Sequence, residues 1–416
     1  MSSRRLRGGA PEARSGGGQS PEQTRLPAQA PTPAKPEVPP EGRVVGRADL
    51  AGLDFASFAT WSRALIGHSD RFHRALYRQI VTTGRCAPAE LPDWQEAESS
   101  SPGVIAAITS AAAEVQMPTV VRSQQAEDPS LGLTTKIVVR LHDGLEAECV
   151  HIPMRAGGHH TVCVSSQVGC KMGCTFCHTA RMGLVRQLAP HEIVGQVLAA
   201  AAHTGVAPRN VVFMGMGEPL DNIDAVAAAV RVFTDRAGLK LGWRHITIST
   251  VGRVDQFPRM VELDLHKVNL AVSLTAADDT LRSQMMPVNR THDLAALKAA
   301  LLAQPMDDDR RILVSYVLLA GVNDDAASAA KLIAWVSGLR ALVNLIPFNE
   351  FAGSPYRRPS DEQVIAFRSL LDAAGLHVRM RLTKGDGVMA ACGQLGNLAL
   401  RRKSPASSPH ALTPGS

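Results

Sequence analysis

The chain has 416 residues, 45% of them hydrophobic, which is ample for a packed core and longer than one average domain needs. No run of 18 apolar residues occurs, so no membrane span or membrane partner is expected, and seven cysteines without a secretory signal argue for a reducing, cytoplasmic setting. The net charge of +6 sits at the ends: residues 1–43 and 401–416 each carry +3, while the body between holds 34 basic and 34 acidic residues, so charge alone neither requires nor excludes a nucleic-acid partner.

Residues 1–43 are dominated by Gly, Pro and Ser, with four Glu and no amphipathic period, and read as a disordered tail rather than a transit peptide. Residues 44–130 contain the amphipathic segments FATWSRALIG and RFHRALYRQIVTTG and predict a small helical accessory domain. A larger domain follows at 131–400. It opens with GLTTKIVVRLHDGLEAECVHIP, whose alternation around the Asp143-Gly144 turn predicts a β-hairpin.

From residue 161 the pattern becomes strand, loop, helix, repeated. The expected strands are TVCVSS, NVVFMG, HITIST, VNLAVSL, RILVSYVLL, LVNLIP and HVRMRLT. Helical stretches such as HEIVGQVLAAAAH, DAVAAAVRVF, LAALKAALLA and DEQVIAFRSLLDAAG lie between most of them. This order predicts an α/β fold whose parallel sheet curls into a full or partial (β/α) barrel. Working residues in such folds follow the C-terminal ends of the strands. Residues 401–416 again read as a disordered, basic tail.

After the first of these strands comes VGCKMGCTFCHTARMG, with Cys170, Cys174 and Cys177 in C-x₃-C-x₂-C spacing. Three thiolates can hold three irons of a [4Fe-4S] cluster and leave the fourth open to a small molecule, such as S-adenosylmethionine (SAM), that receives an electron. The competing reading is one structural zinc with His178 or Cys163 as fourth ligand. Zinc usually takes paired ligand units, whereas here three cysteines sit within eight residues.

The next strand runs into GMGEPLDN, where Gly217 permits a close backbone approach and Glu218 offers a carboxylate to an ammonium group. Later strands end at Ser249 and Thr250, at Ser273, Leu274 and Thr275, and at IPFNE with Asn349. Each of these polar residues could simply cap the following helix. As a set at successive strand ends they suggest a ligand-lined mouth. Cys163 lies in the strand before the cysteine loop, and Cys392 lies in GVMAACGQLG. Cys86 and Cys149 read as small, inert core residues.

Seven segments in order, CVSSQVGCKMGCTFC, FMGMGEPL, ITISTVG, NLAVSLTA, LLAGVND, NLIPFN and AACGQL, resemble the RlmN/Cfr family of radical SAM RNA methyltransferases over roughly residues 145–397. Residues 44–130 resemble that family's RNA-contacting N-terminal region in length and helical character only. The resemblance implies methylation of adenine at carbon 2 or carbon 8 in ribosomal RNA, with transfer RNA a substrate of some members. Carbon 2 is the expectation because the RlmN type is the commoner one. It implies a [4Fe-4S] cluster on Cys170, Cys174 and Cys177. It also implies a SAM site at Gly217, Glu218, Ser249, Ser273, Leu274, Thr275 and Asn349.

Two SAM molecules would be used per turnover. The first would methylate Cys392; the second would yield a deoxyadenosyl radical that activates that methyl for addition to the base. Cys163 would release the product by forming a disulfide with Cys392, and Glu148 would accept a proton. The implied partners are RNA, an electron donor such as flavodoxin or ferredoxin, and a thiol reductant.

The chain departs from the family at Thr275, where His is usual, and in KGDGVMAACGQL, where the family carries an acidic GDDIDAACGQL-like stretch. The second departure keeps open a radical SAM enzyme acting on another RNA position or substrate. The alternative of another class is a zinc-stabilised RNA-binding module, which would leave GMGEP and Cys392 without a purpose.

Overall fold

The computed structural model describes residues 47–65, 70–91, 94–95, 117–128, 132–154, 158–380, 389, 391 and 393–400. The expected disordered tails, 1–43 and 401–416, and the expected methyl acceptor Cys392 lie outside these residues.

The strands are β1 (Thr119–Asp128), β2 (Gly132–Arg140), β3 (Glu146–Pro153), β4 (His160–Cys163), β5 (Gln167–Cys170), β6 (Gly183–Gln187), β7 (Asn210–Phe213), β8 (Ile246–Thr250), β9 (Asn269–Ser273), β10 (Ile312–Leu318), β11 (Ala341–Pro347) and β12 (Val378–Met380). The α-helices are α1 (Phe55–Leu65), α2 (Asp70–Thr83), α3 (Pro190–Thr204), α4 (Ile223–Thr234), α5 (Phe257–Glu262), α6 (Asp279–Met285), α7 (Leu294–Leu302), α8 (Ala326–Val336) and α9 (Asp361–Ala373). All seven strands expected after residue 161 are present.

One sheet has the order β1-β2-β3-β4-β7-β8-β9-β10-β11-β12. Pairing is antiparallel from β1 to β4 and parallel from β4 to β12. Among the described residues β1 and β12 do not pair, and the sheet is the mixed α/β sheet expected. The apolar strands suit a sheet covered by helices, and short polar residues punctuate them. Asp278, Asp293, Asp325 and Ser360 each cap the helix that follows by accepting a backbone N–H. The parallel crossovers therefore bring successive strand ends to one side of the sheet.

The expected boundary at residue 130 is corrected in two respects. Thr119–Asp128 is a strand, registered against β2 from Thr119↔Arg140 to Asp128↔Gly132. Its sequence, TVVRSQQAED, is mostly polar because it is a largely exposed sheet edge, so it lacks an alternating apolar face. The helices before it also share the sheet's core: Phe58, Phe72, Leu76 and Ile80 are fully buried in one cluster with Ile193, Phe213 and Phe233. α1 and α2 form a layer of the main unit.

The small β5–β6 sheet was not expected either. It closes the cysteine loop at its base, with Cys170 paired to Gly183. Gly169 adopts a positive φ of 79°, and a Cβ there would stand 1.9 Å from the carbonyl oxygen of Gly183. Only glycine fits.

Candidate active site

One cavity opens at the C-terminal ends of the parallel strands, and the expected residues converge on it. Cys174, Cys177, Gly217, Glu218, Ser249, Ser273, Thr275 and Asn349 all line it. Leu274 is buried just behind, its N–H donating to the carbonyl of Ser315 at 2.9 Å. Cys170 packs with Cys174, Met285, Met286 and Phe348 in an apolar cluster beneath the mouth.

Burial pushes the thiol of Cys170 up to about 12 and holds that of Cys174 well above the usual thiol range. As bare side chains they stay protonated, so their thiolates need a positively charged partner such as iron. Ligands of a single zinc, each about 2.3 Å from the ion, would lie within about 4 Å of one another. Among the described residues, the only His, Cys, Asp and Glu group with ligand atoms all within 4.8 Å is His142, His191 and Glu192. At least one pair of the three cysteine sulfurs therefore stands farther apart than that, which suits a polynuclear cluster. His178, whose ring sits edge-on to Phe351 at 5.3 Å, is in no such group either. The His142 group is no cation site, because Arg186 donates to both oxygens of Glu192 at 2.8 Å.

Glu218 is buried, with Oε1 accepting from Leu220 N at 3.1 Å and Oε2 from Val251 N at 2.9 Å. It thus ties the end of β7 to the end of β8. Burial raises its carboxyl to about 7 against these hydrogen bonds. A carboxylate held in this way is suited to an incoming cation. Gly217 has a φ of 103°, and a Cβ there would meet the Gln167 side chain at 2.6 Å. That contact explains the glycine before Glu218.

Thr275 is fully buried with a φ of 59°, an outlying conformation for a β-branched residue. Its Oγ1 has no hydrogen-bond partner among the described residues. Strain of this kind gathers at functional sites, and Thr275 lines the cavity. The donor and acceptor set, from Glu218 through Ser249 and Ser273 to Asn349, fits the amino-acid and ribose ends of SAM.

A second group lies on the inner face of the antiparallel strands. Register pairs Lys136 with Val150 and Val150 with Cys163, and opposed residues share a face. Glu148, two residues before Val150, joins them. Lys136 Nζ lies 3.0 Å from Glu148 Oε2, and both side chains are under a tenth exposed. The same ion pair reaches the C-terminal segment on both sides of residue 392. Lys136 Nζ donates to Met389 O at 3.2 Å, and Gly396 N donates to Glu148 Oε2 at 2.9 Å. Leu395 packs with Cys163 and Met216. His178 N donates to Gly393 O at 2.8 Å, so this segment is also bound to the cysteine loop.

Sequence reading missed Lys136, Gln167, Ser315 and Arg282. Gln167 donates to Asp221 and Gln187 and accepts from Glu218 N at 2.8 Å. The carbonyl of Ser315 receives Leu274 N, and its side chain lines the cavity. Gln167 stands in SSQVGC beside the cysteine motif, a position that could have drawn notice. The other three carried no such signal.

The radical SAM superfamily model matches residues 164–333. The chain is 43% identical over 274 residues to the probable dual-specificity RNA methyltransferase RlmN 1 of Protochlamydia amoebophila, covering 66% of this chain and 76% of that protein. It is 44% identical over 284 residues to the dual-specificity RNA methyltransferase RlmN of Syntrophobacter fumaroxidans, covering 68% and 81%. The crystal structure of a radical SAM methyltransferase from Sphaerobacter thermophilus matches with a TM-score of 0.73 at 35% identity, covering 83% of this chain and 98% of that one. With a cysteine loop, a strand-end cavity and relatives of this kind, the chain belongs to the RlmN family of radical SAM methyltransferases.

Proposed function

We propose that this radical SAM RNA methyltransferase methylates an adenine ring carbon of ribosomal RNA, carbon 2 rather than carbon 8, with transfer RNA as a further substrate. Cys170, Cys174 and Cys177 would hold the [4Fe-4S] cluster, which would supply one electron to SAM. Gly217, Glu218, Ser249, Ser273, Leu274, Thr275 and Asn349 bind SAM, with Glu218 taking its ammonium group.

Two SAM molecules serve each turnover. The Cys392 sulfur takes the methyl of the first as its carbon–sulfonium bond breaks, and the thiol proton is lost. The deoxyadenosyl radical from the second SAM would take a hydrogen atom from that methyl and leave as 5′-deoxyadenosine. The methylene radical would add to the adenine carbon, and as one electron returns to the iron–sulfur centre Glu148 would accept the proton that this carbon sheds. Cys163 then attacks the Cys392 sulfur. A disulfide forms, the sulfur–carbon bond breaks, and its electron pair stays on the new carbon, which takes up a proton to become methyl. A thiol reductant restores the two cysteines, and a flavodoxin- or ferredoxin-like protein supplies the electron.

The observation that carries this reading is the common inner face of Glu148 and Cys163, hydrogen-bonded and packed against Gly396 and Leu395, a few residues beyond Cys392. No described helix is long and apolar enough to cross a membrane. The test is nucleoside mass spectrometry of total RNA from cells with and without the gene. 2-Methyladenosine dependent on the gene is expected. 8-Methyladenosine in its place would move the target carbon, and neither product would contradict the reading.

A further inference from the structure

Arg282 on α6 is fully buried and heads the described buried side chains by size. Its guanidinium donates to Val251 O at 2.7 Å, Ser273 O and Leu274 O at 3.2 Å, and Asn289 Oδ1 at 2.7 Å. These partners are neutral. Among the described residues no carboxylate stands within ion-pair distance of it. Burying a cation without an anion is costly, so such a cation implies a negative charge nearby.

Asp279, at the rim, is reached only through Asn289, whose Nδ2 donates to Asp279 Oδ1 at 2.9 Å. Burial presses the guanidinium down to about 10, far enough above neutrality that it stays charged. The helix bearing Arg282 also holds the cysteine loop, since Thr175 N donates to Met285 O at 2.9 Å. Val251 and Leu281 pack against the cluster of Cys170 and Cys174. Arg282 thus joins the ends of β8 and β9, which carry the SAM wall, to the helix on which the cysteine loop rests.

We infer that Arg282 is a positioning residue and the buried counter-ion of the iron–sulfur centre, fixing the cysteine loop against the SAM wall and raising the centre's reduction potential. This rests on the cluster reading above. Three thiolates around a four-iron core leave a net negative charge that grows on reduction. A fixed cation in a dry interior favours the reduced form more than the oxidised one.

The experiment is the midpoint potential of the reconstituted, SAM-free full chain, followed by the reduced-cluster electron paramagnetic resonance signal. Iron and sulfide content and thermal melting are measured on the same samples. Arg282→Gln is expected to retain iron and shift the midpoint to more negative potential. Arg282→Lys, which keeps a cation, is expected to stay near wild type while melting lower. Asp279→Asn removes the screening carboxylate at an exposed position and is expected to shift the midpoint the other way.

A folded, iron-loaded Arg282→Gln protein with the wild-type midpoint would overturn the inference. Should that variant not fold, Asp279→Asn decides: a positive shift supports the role and an unchanged midpoint overturns it. A wild-type chain that takes up no iron–sulfur cluster would overturn the cluster reading itself, which is a separate result.

Discussion

Glu218 shows how one residue can be both a strut and a binding group. Its oxygens hold the backbone of β8 to that of the preceding turn, and burial lifts its carboxyl from 4.5 to about 7. Between those two values the folded protein keeps a proton that the unfolded chain has released. The stability gained from the neutral form is therefore lost as pH rises through 7. A bound ammonium reverses the preference, because it favours the carboxylate. SAM affinity should accordingly increase from pH 6 to 8, by up to about tenfold per pH unit below the carboxyl's value, and level off above it. Equilibrium binding across that range checks this, with Glu218→Gln expected to bind weakly and without the slope. A wild-type profile as flat as the variant's would show that Glu218 does not meet the ligand's charge.

At the scale of elements, the β2–β3 hairpin does more than lead into the sheet. It presents Lys136 and Glu148 as a buried ion pair that reaches Met389 and Gly396. Removing one partner leaves the other charge buried and alone, so Lys136→Met should cost about 3–5 kcal/mol. The double variant Lys136→Met with Glu148→Gln should recover most of that loss. Denaturant unfolding of the two single variants and the double one reads the coupling directly. Additive losses would mean that the pair is not coupled in solution.

The same hairpin shows which features a sequence can reveal. Its turn and alternation were legible in KIVVRLHDGLEAECVHIP, as were the seven strands bounded by apolar helices. Lys136 was not, because a charged residue in an alternating strand is normally assigned to solvent. Arg282, in LRSQMM, was hidden for the same reason: its burial depends on carbonyls gathered from three separate loops. The short β5 and β6, and the polar edge strand β1, fell below any periodic signal.

At the scale of the molecule, the residues expected as a separate accessory domain pack into the main core. Phe58, Phe72, Leu76, Tyr77 and Ile80 are buried together with the α3 and α4 side of the sheet. Deleting residues 1–84 would expose that surface, a large apolar area by any soluble-protein standard. The truncated chain is expected to aggregate or melt far below the full one in a thermal scan, whereas an independent domain would leave the rest folded. The cysteine loop and the strand-end mouth were legible because the three cysteines stand close together in sequence and each polar residue directly ends an apolar strand. The inner face with Lys136, Glu148 and Cys163 was assembled from three strands and needed the fold to be seen. The central claim, that Cys392 carries a methyl group on its way to RNA, is tested most directly by peptide mass spectrometry of protein made with intact iron–sulfur assembly. The account predicts a gain of one methyl on the peptide containing Cys392, absent when Cys170→Ala prevents cluster formation; an unmodified Cys392 in fully iron-loaded protein would contradict it.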